Sequence, residues 1–264
     1  GKKVDGKGVT FQYKVGKKSK LVQSINLAQQ SKRLEFATSI DWHEKHRMLR
    51  VAFPVDIHSD YASFDIQYGF VKRPTHRNTT WDMARFEVVG HKYADLSNED
   101  FGVALLNNCK YGYKVHGNVL DLNLLRSPNN PDPDADQGKH EFTYSLLPHT
   151  GRLIESNVMA EATILNRPVK VFNGYKHQSN ELPIKLNGKG LSLEVVKKAE
   201  KGNHLVIRVV ENLGKYSNGN LMSNSPVTWT ETNLMEWEDG KVHTGENLHI
   251  SLKPFEIRTW KVKL

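Results

Sequence analysis

Apolar and polar side chains alternate with a period of two along most of this chain. Leu21, Gln23, Ile25 and Leu27 fall on one face of an extended segment, and Leu34, Phe36, Thr38, Ile40 and Trp42 fall on one face of the next, the spacing expected of half-buried strands. The polar stretch Gln29-Gln30-Ser31-Lys32 between them reads as a turn. Further short runs follow at 48–55, 63–68, 86–89, 103–106, 119–125 and 141–147, where Phe142, Tyr144 and Leu146 alternate again. Leu21 to Phe36 contains helix formers, yet its apolar spacing fits strands better, and no stretch of a dozen residues combines helical spacing with caps. Many short strands separated by turn signals predict an all-β fold, a large antiparallel sandwich.

The segment from 173 to 190 is polar and rich in turn formers, and it predicts a boundary between a large β-sandwich over 1–178 and a small one over 179–264. Beyond it, runs at 191–196, 204–210, 227–234, 248–252 and 255–264 supply the second strand set. Gly202-Asn203, Ser217-Asn218-Gly219-Asn220 and Asp239-Gly240 are read as the turns between them.

Composition changes this picture little. A chain of 264 residues can bury a proper core, and no apolar run approaches the ~20 residues of a membrane-spanning helix, so a soluble protein with no membrane partner is expected. The net charge of +8 comes from 37 basic and 29 acidic residues, but residues 1–20 hold seven lysines against the single Asp5. Basic character is therefore local, without the clustered arginines and interleaved aromatics of a nucleic-acid surface. Cys109 is the single cysteine; it excludes an intramolecular disulfide, and its apolar and aromatic neighbours predict a small buried thiol. The absence of a visible signal or targeting segment leads to a cytoplasmic expectation.

Candidate chemistry concentrates between Phe64 and Pro128. The runs 86–89 and 103–106 bracket a stretch carrying His91, Lys92, Tyr93, Asp95, Asn98, Glu99 and Asp100, which reads as a polar mouth between two strands. His91, Tyr93, Asp95, Lys110 and Tyr111 are the candidates there, because aromatics with hydrogen-bonding partners suit sugars. His43-Glu44-Lys45-His46 puts two histidines three apart, but adjacent residues of an extended segment face opposite ways and no third ligand is indicated. His140-Glu141 lacks the second histidine of a zinc-protease helix. Asp132, Asp134 and Asp136 alternate as in the first half of a calcium loop, yet Gly138 comes one position late and the twelfth place is Thr143, so a rigid acidic loop is expected. No pair of carboxylates and no ligand set is recognisable, and neither a catalytic residue nor a bound cofactor is expected in this chain.

Several words of the sequence carry a resemblance. Gln67-Tyr68-Gly69, Val71-Lys72-Arg73-Pro74-Thr75-His76, Trp81-Asp82-Met83-Ala84-Arg85-Phe86-Glu87 and the run from Gly90 to Ser97, with Glu231-Thr232-Asn233-Leu234 and the ending from Ser251 to Val262, resemble the C-terminal β-region of glycoside hydrolase family 38 α-mannosidases, in the branch of the cytosolic and vacuolar enzymes. The resemblance implies a galactose-mutarotase-like supersandwich followed by a small sandwich. It also implies a parent that hydrolyses α-mannosides with retention and the help of zinc. The nucleophile, general acid and zinc ligands of that family sit in a preceding catalytic barrel, and none of their motifs stands here, so the isolated chain is expected to be inactive. Its expected partners are that barrel and, through it, an α-mannoside oligosaccharide. The family's β-region lends an arginine to the pocket rim, and the position matching it is Arg126, between Leu124-Leu125 and Ser127-Pro128. The substrate-contacting candidates are thus Arg126, His91, Tyr93, Asp95 and Tyr111. The alternative is a stand-alone carbohydrate-binding module or an aldose epimerase of the mutarotase type, for which His91 and Asp95 are the nearest acid–base pair on offer.

Overall fold

The alternating segments are strands, and every ladder between them is antiparallel. The computed structural model describes residues 2–5, 8–174 and 183–263 and divides into two units, Gly1–Lys170 and Val171–Leu264. The boundary expected between 178 and 179 lies outside the described residues.

The larger unit opens with β1 (Lys2–Asp5), β2 (Gly8–Val15), β3 (Ser19–Leu27), β4 (Leu34–Trp42) and β5 (Leu49–Pro54). It continues through β6 (Tyr61–Ile66), β7 (Gly69–Pro74), a short helix α1 (Thr80–Ala84), β8 (Val88–Val89), β9 (Tyr93–Ser97) and β10 (Phe101–Asn107). β11 (Gly112–His116), β12 (Val119–Leu125), β13 (Gly138–Thr150) and α2 (Val158–Asn166) complete it. These strands form a nine-stranded sheet in the order β1-β2-β3-β4-β13-β10-β9-β6-β7 and a four-stranded sheet in the order β5-β12-β11-β8. Ile40, Trp42, Phe64, Leu105, Tyr113, Leu120 and Leu122, contributed by both sheets, make the core.

β10 shows why one apolar run does not alternate. Val103 and Leu105 enter the core shared by the two sheets, while Ala104 and Leu106 join a second cluster with Leu147, Val158 and Ala162 on the opposite face. A strand covered on both faces has no polar side to show. The cover on the second face is α2, which the period-two reading did not anticipate. Nine residues are too few to announce a helix, and its anchor lies far away in sequence: the buried Arg33 donates to Glu161 Oε2 at 2.6 Å and to the Glu161 carbonyl at 3.1 Å, while also pairing with Glu35 at 2.7 Å.

β13 is longer than its neighbour β4, which pairs with it only from Gly138 to Leu146. The remainder, including Pro148 opposite Val103, pairs with β10.

The smaller unit contains β14 (Ile184–Asn187), β15 (Leu191–Lys198), β16 (Leu205–Glu211), β17 (Ser217–Thr232), β18 (Asp239–Leu252) and β19 (Ile257–Lys263). β17 pairs with β14 near its start, with β19 near its end and with β18 along its other side, and the sheet surrounds Ile207, Val209, Leu221, Trp229, Leu252, Trp260 and Val262. Two expected turns are instead strand. Ser217-Asn218-Gly219-Asn220 opens β17, and Asp239-Gly240 opens β18. Gly219 is there because β14 comes close: a Cβ at this position would lie 2.2 Å from the Asn187 carbonyl oxygen.

Glu211, fully buried, organises the turns of this unit. One carboxylate oxygen accepts from the Leu213 N–H (3.0 Å) and Ser217 Oγ (3.1 Å), and the other from the N–H groups of Gly214 (2.9 Å) and Phe255 (3.0 Å). Removing it orphans several donors at once, the buried Ser217 hydroxyl among them, and each loses its partner at a desolvation cost that grows with burial. Glu211→Ala is expected to lower unfolding free energy by roughly 3 kcal/mol in urea titrations. A loss well under 1 kcal/mol would show that water replaces the carboxylate freely.

Candidate functional site

Four of the six connections between the two sheets of the larger unit gather at one end of the sandwich. Segments 43–48, 90–92, 108–111 and 126–137 each link a strand of one sheet to a strand of the other. The register brings their starting points together: Gly138 pairs with Trp42, Leu106 with Tyr93, and Gly112 with both Asn123 and Val89. Of the stretch read as a polar mouth, His91 and Lys92 lie in this set of loops, while 93–97 form β9 and 98–100 make the turn between β9 and β10.

A few polar side chains tie these loops and the neighbouring β2–β3 turn through backbone groups. Glu44 Oε1 accepts from Lys17 N (2.8 Å) and Lys18 N (2.7 Å) across the turn between β2 and β3. Those bonds, the Lys18 one foremost, hold its carboxyl below the usual range against the opposing effect of desolvation. Gly16, at φ 63°, passes so near that a Cβ would lie 2.5 Å from the Glu44 carboxyl carbon. Asn107 Oδ1 accepts from Cys109 N (2.9 Å) and Lys110 N (2.5 Å), while its Nδ2 donates to the His91 carbonyl (2.9 Å) and to Tyr113 Oη. One amide thereby ties segment 90–92 to segment 108–111. Asp136 Oδ2 accepts from the N–H groups of Arg126 and Ser127, both at 2.9 Å. Burial pushes the Asp136 carboxyl up, but these two bonds outweigh it and the net direction is down. Ser127 in turn accepts from Trp42 Nε1.

Upon this frame stand the exposed groups. Tyr111, 56% exposed, meets the His91 ring edge to face, with centroids 5.7 Å apart and an interplanar angle of 81°. Arg126 is exposed, and its guanidinium has no hydrogen bond or ion pair among the described residues; only its backbone is engaged. The Lys110 ammonium lies 4.6 Å from the centre of the Phe142 ring. An aromatic pair and an unengaged arginine fork at one loop cluster can stack on the apolar face of a polyhydroxylated ligand and donate to its hydroxyls.

Tyr93 and Asp95 do not join them. Both are 1% exposed, because residues 93–97 form β9, paired with β10, rather than a loop. Tyr93 packs in the cluster under α2. Asp95 accepts from Ser97 Oγ at 2.8 Å and faces His149 Nε2 at 2.7 Å. The two cannot offer a sugar contact from inside the core. Cys109, expected to be buried, is exposed on the turn that Asn107 pins.

The other motifs diverge as well. His43 pairs with Asp41 at 2.8 Å, Glu44 turns to the β2–β3 turn, and His46 meets the Asn129 amide. Asp134 pairs with Lys45 at 2.7 Å and Asp132 accepts from Asp134 N at 2.9 Å, so the acidic loop is held by protein donors. Among the described residues no group of three His, Cys, Asp or Glu side chains is placed to hold a metal ion. The residue that sequence reasoning passed over is Asn107; its signal is the Asn107-Asn108 pair closing an apolar run.

Comparison with known proteins gives a consistent result. The family model described as the glycosyl hydrolases family 38 C-terminal domain matches residues 4–134, and that of the family 38 C-terminal beta sandwich domain matches residues 190–260. Alpha-mannosidase 2C1 of Mus musculus is 40% identical over 258 residues, covering 94% of this chain and 25% of the relative. Alpha-mannosidase G of Dictyostelium discoideum is 40% identical over 249 residues, covering 90% and 23%. The chain thus spans about a quarter of the length of the curated relatives it matches. The crystal structure of an alpha-mannosidase from Enterococcus faecalis V583 superposes with a TM-score of 0.74 at 22% identity, over 92% of this chain and 29% of that one.

The Asp95–His149 pair makes stability depend on pH. Burial opposes the charge on His149, but the hydrogen bond and charge of Asp95 outweigh it and raise the imidazole above its ordinary value. A pKa raised on folding stabilises fully below the unfolded value of about 6.5, and that contribution is lost as pH rises through the folded value. The urea midpoint of the chain should therefore fall from about pH 6.5 upward more steeply than that of His149→Gln, which keeps a donor but does not titrate. Parallel profiles would remove the pair from the account.

Proposed function

Because this chain belongs to glycoside hydrolase family 38, as its C-terminal β-region, we propose that it is the closing β portion of a retaining α-mannosidase active on α-mannoside oligosaccharides. In this reading it braces the catalytic barrel of the parent and supplies part of the rim of the sugar pocket. Arg126 donates to sugar hydroxyls or orients a carboxylate of the barrel, and the Tyr111–His91 pair offers an aromatic wall on the same set of loops. The nucleophile, the general acid and the zinc ligands belong to the rest of the parent. The described residues bring no metal-ligand set together, so they do not fit a zinc ion.

One observation supports the reading above the others. The backbone of Arg126 is fixed by Asp136 while its guanidinium is left exposed and unengaged, the arrangement of a side chain whose partner is supplied from outside. An aldose-epimerase role is not favoured, because Asp95 is sealed in the core against His149 and cannot converge with His91 on a substrate. A stand-alone binding module is not favoured either, since the matching models describe C-terminal domains and the relatives are much longer chains. A cytoplasmic setting is part of the proposal, supported by the lone, exposed and unpaired Cys109 where disulfides collect in secreted chains. No described helix is long and apolar enough to cross a membrane.

Two experiments test this. The isolated chain should not hydrolyse an aryl α-mannoside with or without added zinc, and turnover abolished by replacing one of its own Asp or Glu residues would end the proposal. In the full-length parent, Arg126→Lys should lower kcat/KM about tenfold, equivalent to about 1.4 kcal/mol of transition-state binding, and leave Tm unchanged. Lysine keeps the charge but not the planar fork. A lowered Tm with unchanged kinetics would make Arg126 a structural residue.

A further inference from the structure

In the smaller unit one loop reverses the usual placement of polar and apolar side chains. Residues 233–238 join β17 to β18. Asn233 Oδ1 accepts from the N–H groups of Met235 and Trp237, both at 3.1 Å, the Glu236 N–H donates to the Asn233 carbonyl at 3.0 Å, and Arg208 Nη2 donates to the Leu234 carbonyl at 3.1 Å. The backbone of the loop is thereby fixed. Its charged member turns inward: the Glu236 side chain, 5% exposed, pairs with Lys197 at 2.8 Å and accepts from the Glu200 N–H at 2.9 Å. To do so Glu236 takes a left-handed φ of 63°, a conformation disfavoured for a residue with a Cβ.

The apolar side chains around it turn outward. Leu234 is 50% exposed, Met235 55% and Trp237 75%. One exposed apolar residue is ordinary, but three within four positions, on a backbone held by side-chain acceptors, make a patch whose form is set before any partner arrives. A patch of that kind marks an interaction surface, and it loses little conformational entropy on docking. Trp237 adds a large apolar area carried on only two rotatable bonds.

From this we propose that Leu234, Met235 and Trp237 dock into an apolar recess on the preceding part of the parent polypeptide. The inference rests on the reading of this chain as the closing portion of a longer mannosidase, and it names a surface that does the bracing. Size selects the occupant. Complete burial of the three side chains would remove on the order of 400 Å² from water, about half of the roughly 800 Å² that each partner of a standard free-standing complex contributes. So small a contact does not hold two separate molecules together. It suffices where the partner is tethered, because linkage replaces most of the entropic cost of association by a high effective concentration. A tethered partner is what the relatives offer, since this chain covers only 25% of one and 23% of another.

Hydroxyl-radical footprinting of the isolated chain and of the full-length parent is the direct test, with oxidation of Met235 and Trp237 read by peptide mass spectrometry. Both should oxidise readily in the isolated chain and several-fold more slowly in the parent, at every protein concentration. Equal oxidation in the two samples would overturn the proposal. So would protection already present in the isolated chain, or protection in the parent that fades on dilution, which would assign the patch to a second copy. The double variant Leu234→Ser with Trp237→Ser should leave the Tm of the isolated chain unchanged and lower that of the parent; an equal fall in both would make these side chains internal to the smaller unit and count against docking. Turnover of an aryl α-mannoside by the same parent sample separates the two failures. An active parent with an unprotected loop sinks the docking alone, and an inactive parent with a protected loop sinks the mannosidase reading and keeps the docking.

Discussion

A polypeptide that leaves one sheet of a sandwich and enters the other carries backbone N–H groups through a place where no neighbouring strand accepts them. Those donors must be satisfied or the loop stays fluid. In this chain the acceptors are a few side chains: Glu44 for the turn at 17–18, Asn107 for 109–110, Asp136 for 126–127 and Glu211 for the turns of the smaller unit. Three of the four are carboxylates, whose oxygens can each accept several N–H groups in shorter, stronger bonds than a neutral acceptor makes. The shapes of the loops depend on these contacts more than on the apolar core, which fixes only where the strands end.

The same device separates rigidity from availability. Asp136 holds the peptide of Arg126 without touching its guanidinium, and Asn107 sets the path of residues 109–111 while Tyr111 remains in solvent. A side chain presented this way loses little further backbone freedom when it meets a partner, which reduces the entropic cost of the encounter. The carboxylates that look available for chemistry in the sequence are largely the ones consumed in holding loops. In the acid-rich stretch 132–136, Asp132 accepts from the Asp134 N–H, Asp134 pairs with Lys45 and Asp136 holds the Arg126 turn.

What the sequence disclosed follows from the range of the interactions involved. Alternation is local, and β3, β4, β12 and the second half of β17 stand close to where period two placed them. The resemblance singles out Arg126, whose side chain is exposed. Tyr93 and Asp95 were misplaced because a polar residue in a strand core is intelligible only with its partner, and His149 lies 54 residues from Asp95. Helix α2 was missing for the same reason: Arg33, which holds it, is 128 residues distant. Ser217 to Asn220 reads as a turn by composition, yet the glycine there answers to the approach of β14 rather than to a reversal of the chain. Local chemistry predicted the strands, and long-range pairing decided which polar residues reach solvent.

The overhang of β13 has one more effect. Past Leu146 the strand has lost β4 as a neighbour and still runs four residues to Thr150, a bare border of the kind that recruits strands from other molecules. Pro148 stands within it. With no N–H to give and a ring where an incoming backbone would lie, it interrupts the template that a second copy of the chain would need to extend the sheet. The overhang can pass beneath α2 without becoming a seed for aggregation.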